Sequence, residues 1–203
     1  MQLKLLTSIL PIFINGPPDC SIEDSYVHHY LSLLLSSVFS SDPLLNMKWT
    51  NGQLERGNPK TCKPDFLVYN LPGSVKCVVL IAEFKRPDQN SYVESDLIKL
   101  GKQMKFTMSK LVSDGIVKLK VYGVHCEGSN LYTYVMDLAS PKVYRMINVA
   151  KVKLFGNLEQ ISLLPRILTH LMCLKNFALE TAITSNCAFL KRPAPCPPLY
   201  WLF

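Results

Sequence analysis

The sequence predicts an α/β protein. A mixed central β-sheet flanked by helices occupies residues 1–185 as one domain, and a Pro-rich aromatic tail follows over 186–203. Three observations predict it. Two runs rich in apolar and β-branched residues, Phe66–Tyr69 and Val78–Ala82, flank the turn chemistry of Pro72-Gly73-Ser74. Val93, Leu97, Leu100, Met104, Met108 and Leu111 recur at spacings of three and four, the period of a helix with one buried face. Two alternating runs, Val117–Cys126 and Leu131–Leu138, enclose Glu127-Gly128-Ser129-Asn130, a hairpin signal.

Composition sets the class. The chain has 203 residues, enough for one sizeable core, with 48% hydrophobic and 18% charged residues, which excludes an intrinsically disordered chain. A net charge of +7 suits phosphate-rich partners. No run of eighteen apolar residues occurs, so no spanning helix is expected and no membrane partner is assigned. The seven cysteines are odd in number and show no Cys-x2-Cys spacing, which points to buried thiols in a reducing compartment, nucleus or cytoplasm.

Taken in order, Leu5–Ile14 is an apolar stretch after Lys4. Pro11 interrupts it and no small-x-small cleavage site follows, so it reads as a strand or docking segment more than a signal peptide. The spacing predicts a helix over 21–39, capped by Ser21 with Asp24 three residues on, and Ile22, Tyr26, Tyr30, Leu34 and Val38 form its apolar face. His28 and His29 read as surface or packing residues. Residues 40–62 read as a loop with a short strand at Met47–Thr50. A helix over 92–113 carries Lys99, Lys102, Gln103, Lys105 and Lys110 opposite its apolar stripe. A third strand over 142–150 would follow the second hairpin, with Tyr132, Tyr134 and Tyr144 able to share a face for packing or base stacking. One or two helices over 157–182 are expected, with Pro165 marking a break. The tail carries four prolines and ends in Tyr200-Trp201-Leu202-Phe203.

The acids in the first two strands carry the chemistry. Asp65 and Glu83 are equidistant from Ser74. A hairpin symmetric about that turn sets them opposite each other, with Cβ atoms roughly 4.5–5.5 Å apart on one face. Alternation puts Lys85 on the same face. Two carboxylates and an ammonium then converge, and a hard cation such as Mg²⁺ relieves the repulsion between the acids, with the backbone carbonyl of Phe84 as a further oxygen donor. The plain structural alternative is a surface ion pair between Glu83 and Lys85, with Asp65 a turn residue. The apolar run 78–82 weighs against it, because such a run marks a central strand.

Pro64-Asp65 followed by Glu83-Phe84-Lys85 resembles the PD-(D/E)xK nuclease superfamily. The resemblance covers roughly residues 20–150 and implies a restriction-endonuclease-like core. It implies a Mg²⁺- or Mn²⁺-dependent phosphodiesterase acting on nucleic acid, DNA favoured over RNA. Asp65 and Glu83 would hold the metal, and Lys85 would assist the attacking water. Family members place a glutamate on the helix before the hairpin, here Glu23, as a further metal ligand, with a first-turn acid favoured by the helix dipole as the alternative. They also place a polar residue on the following helix, here Lys99, Lys102 or Gln103. Lys63 and these helix residues would contact nucleic acid. The alternative function is a catalytically inactive module of the same fold, an effector-like protein that binds nucleic acid or another protein.

Overall fold

The structure is a computed structural model that describes residues 7, 31–49, 63–72, 75–85, 93–116, 120–155 and 158–190. It is α/β, with a six-stranded sheet in the order β1-β2-β3-β4-β5-β6. The elements are α1 (Ser32–Phe39), β1 (Asn46–Trp49), β2 (Phe66–Asn70), β3 (Cys77–Lys85), α2 (Val93–Ser113), β4 (Val121–Glu127), β5 (Asn130–Ser140), β6 (Val143–Lys153), a 3₁₀ segment (Leu158–Leu163) and α3 (Leu164–Leu190). Every neighbouring pair is antiparallel except β3 and β4, which α2 joins in parallel. A parallel pair needs such a crossover, and it covers one face of the sheet.

The hairpin has the expected register beside the acids. Phe66 pairs with Ala82, Leu67 with Ile81 and Val68 with Leu80, as symmetry about Ser74 requires. A bulge between Val68 and Tyr69 then shifts the pairing by one residue. The turn residues 73 and 74 lie outside the described residues, as do the predicted cap of the first helix, His28, His29, Glu23 and, apart from Thr7, the stretch Leu5–Ile14.

Period-two alternation sorts β2 and β3 into two cores. Phe66, Val68, Leu80, Ala82 and Phe84 face Phe39 of α1 and Ile167, Leu171, Leu174 and Ala178 of α3. Leu67 and Ile81 face Leu100, Met104, Met108 and Leu111 of α2. Both faces of β3 are covered, which is why it reads as a continuous apolar run. Gly123 of β4 lets α2 come close: a Cβ there would sit 2.5 Å from Met104 Sδ. At the β5–β6 turn Pro141 precedes Lys142, which adopts φ 67°, the pattern of a type II turn.

α3 runs unbroken to Leu190, across residue 185. The expected break at Pro165 falls between the 3₁₀ segment and α3. The proline sits in the first turn of α3, where its missing N–H has no intrahelical partner to lose. The tail 191–203 lies outside the described residues. Tyr134 and Tyr144 share the α2 face and pack into its core, so they are packing residues. Among the described residues no helix is long and apolar enough to cross a membrane.

The C-terminal turns of α3 are pinned to β2 by Asn70, which is buried. Its Nδ2 lies 2.9 Å from Ser185 Oγ, 3.0 Å from Asn186 Oδ1 and 3.1 Å from the Ala182 carbonyl. Replacing Asn70 leaves buried partners unsatisfied, so Asn70→Ala should lower the unfolding free energy by about 1–3 kcal/mol. Urea unfolding at pH 7 measures this, and a loss smaller than about 0.5 kcal/mol would show that the network contributes no more than an average surface contact.

Candidate active site

Glu83 is set by β3 at the end of its apolar run, and only 3% of it is exposed. Asp65 lies just before β2, one residue beyond the Phe66–Ala82 pair. Its Oδ2 accepts the Phe84 N–H at 2.9 Å. The Asp65 side chain thus extends the hairpin ladder past its last backbone pair and ties itself to the residue next to Glu83. Phe84 meets Asp65 through this N–H, and its ring stacks on Trp49 at 5.8 Å on the opposite face of the sheet.

Helix α2 completes the site. Lys99 Nζ donates to Glu83 Oε2 at 2.6 Å, and Gln103 Nε2 donates to Glu83 Oε1 at 2.6 Å. The two residues are four apart, so one helical face presents both. Of the three candidates on α2, Lys99 and Gln103 reach the acid, and Lys102 is exposed to solvent. Lys63 is also exposed, two residues before Asp65. Lys85 is the last residue of β3, in register with Glu127 of β4, and the placement of its side chain lies outside what the structure describes.

The parallel register brings in a residue that sequence reasoning leaves unassigned. His125 of β4 pairs with Glu83, is buried, and has its ring centroid 6.4 Å from that of Tyr132. Tyr132 in turn lies under Lys151 Nζ, 5.0 Å from the ring centroid. A polar row therefore crosses the α2 face from Asp65 through Glu83, His125 and Tyr132 to Lys151.

Electrostatics follow from burial. Desolvation, and next the charge of Asp65, push the Glu83 carboxyl up to about 7, against the pull of Lys99 and Gln103. For Lys99 burial acts downward. The hydrogen bond to Glu83 and the charges of Glu83, Asp65 and Asp96 outweigh it and raise the ammonium. Lys99 thus keeps its proton while Glu83 is poised between neutral and charged.

The donor set suits a hard divalent cation. Asp65 and Glu83 offer carboxylate oxygens, and Mg²⁺ is usually held by one or two carboxylates with waters and phosphate completing its shell. Among the described residues no group of three His, Cys, Asp or Glu side chains converges. Lys99 occupies Oε2 and would have to yield that oxygen to a cation. No protein-family model, curated protein or solved structure matches the chain.

Glu83 also predicts a pH dependence of stability. Its folded-state value of about 7 exceeds the ordinary 4.5. The folded protein therefore holds a proton that the unfolded chain has released, and stability falls as pH rises from about 4.5 to 7. Glu83→Gln removes this term, so in EDTA the variant should gain on the wild type across that window, by up to about 3 kcal/mol at pH 8. Urea unfolding of both proteins at pH 5, 6, 7 and 8 measures it. A difference that does not change with pH would show that Glu83 titrates like an exposed acid.

Proposed function

We propose that the chain is a Mg²⁺- or Mn²⁺-dependent phosphodiesterase acting on nucleic acid, with DNA the favoured substrate. The observation that carries this is the convergence of Lys99 and Gln103 on the buried carboxylate of Glu83, beside a second acid, Asp65. A buried acid next to another acid is a poor way to stabilise a sheet and a good way to hold a cation. The spacing of Pro64-Asp65 and Glu83-Phe84-Lys85 and the net charge of +7 support the same reading.

In this mechanism the bound metal supplies charge neutralisation at the scissile phosphate and a more acidic water. Asp65, held by the Phe84 N–H, and Glu83, held by Gln103, present their oxygens from fixed positions. Lys99, once it has yielded Glu83 Oε2 to the cation, supplies positive charge at the rim. Lys85 orients the attacking water and stabilises charge developing on the phosphate. Exposed Lys63 and Lys102 draw in the phosphate backbone. Glu23 is a further metal ligand in this reading. Buried Cys126, outside any disulfide, supports a reducing compartment.

A second reading has one observation in its favour. The 2.6 Å Lys99–Glu83 ion pair neutralises the acid without any metal, as suits a module that has given up catalysis and keeps the fold for binding nucleic acid or another protein.

The two readings separate in one experiment. Purified protein with plasmid DNA and single-stranded RNA should cleave, DNA faster, in Mg²⁺ or Mn²⁺ and not in EDTA. Asp65→Ala and Glu83→Ala should each remove the activity. Lys85→Ala should slow turnover by about 10²–10³-fold, the loss typical of one preorganised donor, with little change in affinity at fixed salt. No cleavage of either polymer with either metal, alongside salt-dependent binding, would decide for the inactive module.

A further inference from the structure

At the other end of α2 from the acid pair, a small open cleft is lined by Lys76, Val78, Phe106, Thr107, Lys110 and Leu111. Lys76 directly precedes β3, so along the strand it lies roughly 20 Å from Glu83 at 3.3 Å per residue. On α2, Thr107 and Lys110 lie one to three turns beyond Gln103 and Lys99. The cleft is therefore separate from the acid pair and independent of any role the acids play.

Three features of the cleft converge. Two ammonium-bearing side chains, Lys76 and Lys110, stand in its wall. The charge of Lys48 on β1 reaches the same place: burial, then Lys48, then Lys110 lower the Lys76 ammonium. Thr107, also in the wall, is buried, and its Oγ1 has no hydrogen-bond partner. A hydroxyl in mid-helix ordinarily bonds back to the carbonyl four residues earlier. An unsatisfied buried hydroxyl is costly, and one beside converging like charges marks a place built for something with oxygen acceptors.

The size of the cleft narrows the ligand. Its internal space is about 10 Å³, enough for one water-sized atom. A whole phosphate does not fit inside, but one of its oxygens does. The remaining oxygens would lie at the mouth between Lys76 and Lys110. Lys76 is steadied there by the Tyr69 ring, whose centroid is 4.9 Å from Nζ.

We propose that Lys76, Thr107 and Lys110 form a site for a single phosphate group, one oxygen of which accepts the Thr107 hydroxyl hydrogen. The group comes either from a small free phosphate compound or from the backbone of a nucleic acid. In both cases the chemistry is that of a phosphate oxygen seated on a hydroxyl donor between ammonium groups.

The test uses the full chain in EDTA with Asp65→Ala as background, so that neither cleavage nor its absence affects the readout. Sodium phosphate is titrated at constant ionic strength against sodium chloride, followed by the amide signals of Lys76, Thr107 and Lys110. The expected result is a saturable shift with phosphate alone. Thr107→Val should weaken it about fivefold, the worth of one net hydrogen bond, and Lys76→Gln about tenfold, as for a charge-assisted contact. In phosphate-free buffer Thr107→Val should melt no lower than its parent, because it removes an unsatisfied hydroxyl, so weaker binding cannot be laid to misfolding. A second arm replaces phosphate with a short single-stranded oligonucleotide. Saturation of the same signals at far lower concentration assigns the site to a polymer backbone, and saturation by inorganic phosphate alone assigns it to a small compound. Shifts that are linear, equal to those with chloride, or unchanged by Thr107→Val overturn the proposal and leave the cleft to a water molecule.

Discussion

A carboxylate on a central strand cannot be left charged and alone, and helix α2 answers that constraint for Glu83: Lys99 and Gln103 each take one oxygen. Asp65, anchored on the neighbouring N–H of Phe84, adds a second negative charge beside it. The helix contacts fix the rotation of α2 about its axis, because only one face of the helix can present residues 99 and 103 together. The same rotation turns Leu100, Met104, Met108 and Leu111 onto the sheet. Gly123 keeps the helix close enough for the polar contacts to form.

The arrangement is nonetheless incomplete as a stabilising device. A buried ion pair recovers its desolvation cost only when the remaining lone pairs and protons are also satisfied. Here Glu83 is still driven upward, first by burial and then by the Asp65 charge, although Lys99 and Gln103 oppose the shift. Gln103 Oε1 is buried without a hydrogen-bond partner. The fold thus keeps an acid pair whose repulsion its own donors only partly relieve, on a sheet where apolar residues of similar volume would pack without that cost. Residues that are held against stability in this way are the ones a functional reading should begin from.

Much of this was legible in the sequence. The β2–β3 register came from counting about Ser74, since the pleat has period two and the turn lies at the midpoint. The count survived near the acids because the bulge falls on the turn side of them, at Val68/Tyr69. The pairing of Lys99 with Gln103 was present in the four-residue spacing, though only the helix rotation distinguished them from Lys102. His125 was not legible as a neighbour of Glu83. Forty-two positions separate the two, and nothing in either strand states that they run in parallel side by side. The reach of α3 was missed because Pro193, Pro195, Pro197 and Pro198 mark a tail. The residues just before them, Ser185 and Asn186, are polar and gave no apolar period, yet their hydroxyl and amide are what Asn70 requires.

The role of Lys99 decides how the acid pair behaves. An ammonium at Oε2 lowers the cost of charging Glu83, and it also stands where a cation would bind. If a metal replaces it at that oxygen, Lys99 remains in reach of Asp65 and Asp96, whose charges already favour its protonated form, and it becomes a positive group at the rim. The ion pair and the metal are then two ways of neutralising one carboxylate, in competition for a single oxygen. Gln103 is indifferent to the exchange, because it holds the other oxygen and carries no charge. A site built this way keeps its acid oriented in both states, and what changes between them is where the ammonium points.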